Sequence, residues 1–203
     1  MTLTDQQRDE IRTAANTVRQ DAVRMTNAAT CGHPGGPMGM ADFMATLFLA
    51  HINLDADNRH DPERDRFILG NGHTCAGLYS ILAQKGLIPT ESLLDFRKLG
   101  SPLQGHPHRN QDLGIDMSTG SLGNGLSVGL GMALAAKQNG WSTRVYVASS
   151  DGESQEGQIW EAIMTAGAYK LDRIVAILDR NSFQQDGPVQ SIKDLEPLEE
   201  KFK

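Results

Sequence analysis

The sequence has few cysteines, no surplus of positive charge and no long apolar run, and each shortage excludes a class of protein. Two cysteines, Cys31 and Cys75, cannot build a disulfide framework, so a reducing, cytoplasmic setting is expected. Nineteen Lys and Arg stand against 25 Asp and Glu, a net charge of −6 that offers no footprint for nucleic acid or an anionic membrane. No apolar run approaches the ~20 residues of a membrane-spanning helix, and the polar start MTLTDQQRDE lacks the apolar region of a signal peptide.

What the sequence does contain is enough apolar material for a core and an unusual use of glycine. Hydrophobic residues make up 39% of 203 residues and charged residues 22%, which is typical of one globular domain. Glycine occurs 21 times, with six glycines in residues 114–131 and three standing directly before histidine. Such clustering indicates loops in which the backbone approaches another group closely.

The hydrophobic pattern predicts an α/β fold with a mainly parallel sheet flanked by helices. Helices are expected over residues 5–30, 40–51, from 72 onward, 123–139 and 155–169, and a loop over 101–116. Short apolar strands are expected over 66–69, 144–149 and 173–178. The last two strands and the helix between them form a βαβ unit, which favours a parallel sheet.

Polar residues follow the two strands of this βαβ unit. Asp151 and Gly152 come directly after one strand, and Asn181 follows the next, thirty residues further on. Ligands of open parallel sheets bind beyond the carboxyl ends of the strands. Oxygen ligands are those that Mg²⁺ prefers, and the helix predicted from 155 would point its amides at the same place. The alternative is that Asp151 only caps this helix.

Three histidines follow glycine: His33, His73 and His106. Imidazoles gathered in a cleft can bind phosphate or sugar hydroxyls or move protons, whereas isolated loop histidines are merely solvated. Their spacing is not that of a zinc site. The loop over residues 119–125 has glycine spacing suited to phosphate, although a flexible loop beside a closely packed small-residue helix explains it equally well.

Together these segments resemble the N-terminal, thiamine diphosphate-binding part of transketolase, and especially the first subunit of bacterial split transketolases. The matching segments are CGHPGGPMGMAD (31–42), DRFILGNGH (65–73), LGSPLQGHPHR (99–109), DMSTGSLGNGLSVGLGMALAAK (116–137), DGESQEGQIWEA (151–162) and YKLDRIVAILDRNSFQQDG (169–187). Asp-Gly followed by Asn after one βαβ unit is the general thiamine diphosphate signature, and the histidine segments are typical of transketolases.

The resemblance implies a role for each matching residue. Asp151, Asn181 and the carbonyl of Phe183 would hold Mg²⁺, or Ca²⁺ or Mn²⁺ in its place, against the cofactor's diphosphate. The remaining cofactor contacts would come from Gly120, Leu122, Gly152 and Glu156, the last also meeting its partner across a dimer interface. His33, His73 and His106 would contact diphosphate or substrate and assist proton transfer.

The function implied is transfer of a two-carbon ketol unit from a ketose phosphate to an aldose phosphate, as in the pentose phosphate pathway. The chain ends before further strands that the family usually carries and has no pyrimidine-binding domain, so a partner subunit is expected, in a dimer or an α2β2 heterotetramer. Ser150 replaces the usual glycine before Asp-Gly. Two alternatives stay open: a related transketolase acting on a sulfo- or branched sugar, and a non-catalytic subunit that binds cofactor or another protein.

Overall fold

The computed structural model describes residues 2–185 and 187–202, which form two compact units. The first unit contains the residues up to Asp65 together with Gly72–Ser118, and the second contains Arg66–Asn71 and the described residues from Thr119 onward. The α-helices are Asp5–Ala29 (α1), Gly35–Gly39 (α2), Ala41–Ala50 (α3), Cys75–Gln84 (α4), Asn124–Asn139 (α5), Gly157–Ala168 (α6), Val189–Ile192 (α7) and Leu198–Lys201 (α8). The strands are Arg66–Leu69 (β1), Val145–Ser150 (β2), Ile174–Asp179 (β3), Phe183–Gln184 (β4) and Gly187–Pro188 (β5). None of the described helices is both long and apolar enough to cross a membrane.

Helix α1 is the long amphipathic helix that the sequence predicts. It begins at a reciprocal cap, in which the Thr4 side chain accepts from the Gln7 amide and the Gln7 side chain accepts from the Thr4 amide. It ends at Thr30, which takes a left-handed conformation with φ 53°. Its buried face, which includes Val18 and Met25, packs in the first unit against α3 and α4. Packing of this apolar face, rather than propensity alone, stabilises the helix.

The first unit departs from the sequence-based expectation at two helix starts. The break expected after α1 contains the short helix α2. Pro37 is tolerated in it because the residue lies in the first turn, where a missing amide hydrogen breaks no helical bond. The helix expected from residue 72 begins instead as a 3₁₀ turn, Gly72–Thr74, and becomes α-helical at Cys75.

The expected loop over 101–116 is mostly irregular, with a short 3₁₀ turn at Gln111–Leu113. One end of this loop is held by a buried ion pair that the sequence pattern does not reveal. The guanidinium of Arg64, fully buried, binds both carboxylate oxygens of Asp116 at 2.7 and 3.1 Å. Two parallel charge-assisted hydrogen bonds of this kind fix the geometry as well as the charge.

The second unit is built on a parallel sheet of order β1-β2-β3, which confirms the predicted α/β fold. The three predicted strands lie within one residue of the observed ones. Ser150 and Asp179 pair at the carboxyl ends of β2 and β3, so the residues that follow these strands emerge at one edge of the sheet.

Helix α5 lies close to the sheet because small residues face it. A Cβ on Gly129 would lie 2.5 Å from Cγ2 of Val147 on β2, and a Cβ on Gly125 would lie 2.8 Å from the Cα of Gly70 just after β1. Both distances are too short for a real side chain. The glycines therefore set the distance between helix and sheet.

The start of helix α6 differs from the prediction, which placed it at residue 155. Residues Glu153–Gln155 form a 3₁₀ turn and Glu156 is extended, so the helix begins at Gly157. That the first amides of α6 face an anion at the strand ends stays a prediction. The Asp151 carboxylate itself accepts from the amides of Gly152 and Ser182.

Candidate functional site

Asp151 lies where β2 and β3 end, and it joins the two strand ends. Its side chain is buried, with the residue 3% exposed. One carboxylate oxygen accepts from the amide of Gly152 at 2.8 Å and the other from the amide of Ser182 at 2.7 Å. Its own amide donates to the carbonyl of Asp179 at 3.2 Å. The carboxylate is thereby fixed in orientation, and each oxygen keeps a lone pair for a further ligand.

Asn181 and Phe183 follow β3 at the same edge. The side-chain oxygen of Asn181 accepts from the Phe183 amide at 2.9 Å, and its side-chain nitrogen donates to Asp179 at 3.1 Å. Both Asn181 and Phe183 are exposed. We call Asp151, Gly152, Asp179 and Asn181 the strand-end edge.

Asp179 is a second carboxyl at the strand-end edge, and the sequence analysis did not identify it. Burial raises its pKa above the ordinary range, Asn181 opposes this by hydrogen bonding, and the nearby Asp151 raises it further. Two carboxyls and an amide oxygen are hard oxygen donors of the kind that Mg²⁺ prefers, so these side chains fit that cation. Among the described residues no three His, Cys, Asp or Glu side chains gather as a metal site, so a cation here would also depend on amide, carbonyl and phosphate oxygens.

The loop before α5 carries Gly120 and Leu122. Gly120 takes φ +142°, a conformation that favours glycine, and Leu122 is 36% exposed. The Leu122 carbonyl already accepts from the side chain of Gln158 at 3.2 Å. Beside Gly120, the hydroxyl oxygen of Thr119 is buried without a hydrogen-bond partner. An unpaired buried hydroxyl is unfavourable, so this loop fits a ligand that supplies a polar group.

Gly152, in the turn after β2, is closely packed against the side chain of Gln184. A Cβ at this position would lie 3.1 Å from the side-chain oxygen of Gln184, so a larger residue would crowd the turn. Ser150 stands where the resemblance leads us to expect a glycine. Its hydroxyl accepts a hydrogen bond from the amide of Glu153 at 3.3 Å. The serine is thus accommodated in the turn.

Glu153 is a fully buried acid that the sequence analysis missed, although it stands in the segment DGESQEG. One of its oxygens accepts from the amide of Gly123 at 2.7 Å, while the other has no hydrogen-bond partner. Burial raises its pKa, and the charge of Glu156 raises it further against the lowering effect of its hydrogen bonds. The side chain ties the loop before α5 to the turn after β2, and so connects two segments predicted to bind the cofactor.

Glu156 is exposed and occupies the N-cap position of α6, where its side chain makes no capping hydrogen bond. Its Cβ lies against Gly123, where an added Cβ would be only 2.7 Å away. Glu156 is therefore accessible to another chain. No contact of its carboxylate with the strand-end edge is seen in the described part of the chain.

The three predicted histidines come together in the first unit. The rings of His33 and His73 meet edge to face, with centroids 5.2 Å apart. Burial lowers the pKa of His73, and the neighbouring His33 and His106 lower it further. The pKa of His106 is lowered by burial, by Arg97 and by His33. Imidazoles that resist protonation in this way can accept protons near neutral pH.

These observations first define a class: an α/β protein with an Asp-Gly turn after one parallel strand and an asparagine after the next, the arrangement of thiamine diphosphate-binding domains. Residues 11–203 match the family described as "Transketolase, thiamine diphosphate binding domain". The chain belongs to this transketolase family.

Similar proteins include subunits and whole enzymes. The chain is 40% identical over 198 residues to the 6-deoxy-6-sulfo-D-fructose transketolase subunit SqwG of Clostridium sp. (strain MSTE9), covering 98% of this chain and 72% of that protein. It is 36% identical over 195 residues to an apulose-4-phosphate transketolase subunit of Actinobacillus succinogenes, covering 96% and 71%. The crystal structure of transketolase from Campylobacter jejuni superposes with a TM-score of 0.87 at 33% identity, covering 100% of this chain. The chain spans only 32% of that structure.

Proposed function

We propose that the chain is the thiamine diphosphate- and Mg²⁺-dependent subunit of a split transketolase. With a pyrimidine-domain subunit it would transfer a two-carbon ketol unit from a ketose phosphate to an aldose phosphate. The observation that carries the proposal is the buried Asp151, held by amides from both strand ends in a chain of the transketolase family. In this proposal residues 1–203 act as one cofactor-binding domain of a cytoplasmic enzyme.

The strand-end edge would hold the metal and the diphosphate. Asp151, Asn181 and the carbonyl of Phe183 would bind Mg²⁺, or Ca²⁺ or Mn²⁺ in its place, and the cation would relieve the repulsion between Asp151 and Asp179. Gly152 would allow the diphosphate to approach the backbone. Gly120 and Leu122 would contact the cofactor rings through their backbone.

The bound cofactor supplies the carbanion chemistry of ketol transfer, and the protein supplies orientation and proton transfer. His73 and His106, with lowered pKa values, would be neutral at pH 7 and able to accept a proton from a substrate hydroxyl. His33, which is exposed and in ring contact with His73, would contact diphosphate or substrate hydroxyls.

A partner subunit is part of the proposal because residues 11–203 match the thiamine diphosphate-binding domain, and the proposed reaction also needs a pyrimidine-binding domain. Two relatives that it matches along nearly its whole length are named as transketolase subunits. Glu156, exposed before α6, would meet a partner residue, and the exposed Val128 on α5 would be covered in a dimer or an α2β2 heterotetramer. A carboxylate pair at such an interface needs a shared proton or a neighbouring cation.

A second candidate is ketol transfer with an unusual sugar. It is favoured by the names of two relatives, which refer to a sulfo-sugar and to apulose 4-phosphate. A transfer assay of the complex with xylulose 5-phosphate, a sulfo-ketose and apulose 4-phosphate as donors separates the two candidates. No transfer from any donor, with cofactor binding intact, favours a non-catalytic subunit.

The metal assignment is tested by Asp151→Ala and Asn181→Ala in the complex with the pyrimidine-domain subunit. We expect each to weaken thiamine diphosphate binding at least tenfold in the presence of Mg²⁺, about 1.4 kcal/mol or more, because the diphosphate loses a ligand of its counter-ion. Isothermal titration calorimetry with and without Mg²⁺ measures this. Without Mg²⁺ the variants and the wild type should differ much less.

Asp172→Ala is the matched control. This aspartate is exposed just before β3, at the opposite end of the strand from Asp179 and Asn181. Thermal melts accompany each titration, because Asp151 also binds two backbone amides. Wild-type affinity with Mg²⁺ in the folded Asp151 and Asn181 variants would show that these residues do not hold the metal.

A further inference from the structure

Two buried side chains on one face of α4 hold the loop that leads to His106. The hydroxyl of Tyr79 donates to the carbonyl of Gln104 at 2.8 Å. The thiol of Cys75, one helical turn earlier, donates to the carbonyl of Gly105 at 3.2 Å and lies 3.6 Å from that of Gln104. Both side chains are fully buried. Positions four residues apart share a helix face, so the two donors reach adjacent carbonyls.

The same loop is held from its other side by residues that follow the 3₁₀ turn Thr90–Asp95. The amide of Arg97 donates to the carbonyl of Leu103 at 2.8 Å. The Arg97 guanidinium lies against Gly105, where an added Cβ would be 2.4 Å from Nε. The ring of Phe96 meets the ring of Tyr79 edge to face at 6.1 Å. The segment immediately before His106 is thus fixed between α4 and Arg97.

Both α4 donors keep their protons under ordinary conditions. Burial raises the pKa of Cys75 to about 12, even though the Arg97 charge opposes the shift. Burial also raises the pKa of Tyr79, and the neighbouring Cys75 raises it further. The thiol and the phenol are therefore neutral hydrogen-bond donors across the physiological range, and the contacts they make do not vary with pH there.

We infer that Tyr79 is a positioning residue for His106, acting with Cys75 through the carbonyls of Gln104 and Gly105. Because His73 lies in the 3₁₀ turn from which α4 begins, one helix sets the positions of two of the clustered histidines. The inference rests on the proposed function in assigning His106 to the reaction. The anchoring itself concerns the folded chain alone and is measurable without activity.

The test compares Tyr79→Phe with Ser80→Ala. The first variant keeps the ring and removes only the hydroxyl that reaches the His106 loop. The second removes an equally buried hydroxyl one residue further along α4, whose partner is Asp21 on α1 at 2.7 Å. Loss of either hydrogen bond destabilises the fold, so a purely structural effect would be common to both variants.

The first readout is a histidine NMR titration of the full chain, with the His106 signal assigned by His106→Gln. We expect the His106 pKa to rise toward the solution value in Tyr79→Phe, because the loop moves away from its burial and from Arg97, and to stay at the wild-type value in Ser80→Ala. The second readout is ketol transfer by the complex. There kcat of Tyr79→Phe should fall about 10- to 100-fold through misplacement of His106, with thiamine diphosphate affinity within twofold.

The two readouts separate the possible failures. Absence of ketol transfer by the wild-type complex would contradict the proposed function. The NMR comparison would still test whether Tyr79 positions His106. A wild-type His106 titration in folded Tyr79→Phe, or the same shift in Ser80→Ala, would overturn the inference. If Tyr79→Phe does not fold, Cys75→Ala is measured in its place, since it removes the thiol that reaches the carbonyls of Gly105 and Gln104. An unshifted His106 titration in that variant would also overturn the inference.

Discussion

Burial acts on the acids and the bases of this protein in opposite directions, residue by residue. It raises the pKa of Asp179 at the end of β3 and of Glu153 in the turn after β2, and it lowers the pKa of His73 and His106 in the histidine cluster. In each case removal from water disfavours the charged form. The two carboxyls are thereby biased toward their protonated form, and the two imidazoles toward their neutral form.

The lowered pKa of His73 makes stability depend on pH. Its folded pKa lies below the unfolded value near 6.5, so the unfolded chain binds more protons as the pH falls through that value. Stability contributed by the neutral ring is therefore complete above about pH 6.5 and is lost as the pH falls toward the folded pKa. We expect His73→Asn to lose less stability than wild type between pH 7.5 and 5.5 in urea unfolding.

The control for this measurement is His51→Asn, because His51 is exposed at the end of α3. It should follow the wild-type pH profile. Equal slopes for His73→Asn and wild type below pH 6.5 would mean that folding does not lower the pKa of His73.

At the scale of elements, the glycines of helix α5 allow close packing on the face toward the sheet but have no packing role on the exposed face. Gly125 and Gly129 face the sheet at distances that exclude any side chain, whereas Gly131 is exposed with no atom within 4 Å of an added Cβ. Glycine in a helix interior is unfavourable by about 0.5–1 kcal/mol relative to alanine. The sheet-facing glycines are therefore retained at a loss of helix propensity.

The two kinds of glycine predict opposite effects of the same substitution. We expect Gly131→Ala to stabilise the chain by about 0.5–1 kcal/mol through helix propensity. Gly125→Ala should destabilise it by about 1–3 kcal/mol, because its Cβ meets the backbone of Gly70, which cannot move aside cheaply. Chemical denaturation of the full chain compares them. Stabilisation by both substitutions would mean that α5 can shift away from β1 without loss.

At the scale of the whole molecule, the second unit carries the strand-end edge and the first unit carries the three clustered histidines. What the proposed reaction still needs is a group acting on the cofactor's aminopyrimidine, which the proposal assigns to the partner subunit. The chain spans 32% of the Campylobacter jejuni transketolase structure that it matches.

We therefore predict that the 203-residue chain alone is inactive in ketol transfer with thiamine diphosphate and Mg²⁺. Mixed with the pyrimidine-domain subunit, it should elute earlier in size-exclusion chromatography and gain activity. Glu156→Gln should weaken this association relative to Glu161→Gln, an exposed glutamate further along α6. Ketol transfer by the purified chain alone would contradict the need for a partner.

Local pattern was sufficient to predict several elements and one edge of the candidate site. The three-to-four-residue repeat predicted α1, and the continuous apolar runs predicted β1, β2 and β3. Parallel strands joined by a helix must end at one edge, so the positions of Asp151 and Asn181 followed from chain order alone. Their roles as metal ligands stay predictions.

The start of α6 and the identity of Glu153 as a buried acid depended on tertiary structure. The turn Glu153–Gln155 bends so that Glu153 reaches the amide of Gly123, thirty residues away in the chain. No periodicity in the sequence encodes such a contact. The same holds for the ion pair of Arg64 and Asp116, whose partners are 52 residues apart.

The sequence by itself determined the type of fold, the family resemblance and the order of the polar residues along the chain, because these depend on short-range periodicity and on local motifs. Only the tertiary structure decided which of these residues meet. It placed the His33 ring beside that of His73 and brought the Tyr79 hydroxyl to the carbonyl of Gln104, two residues before His106. Which groups are buried, and hence the direction of each pKa shift, depends on contacts between segments far apart in the chain, since desolvation is a property of the packed surroundings and not of the residue.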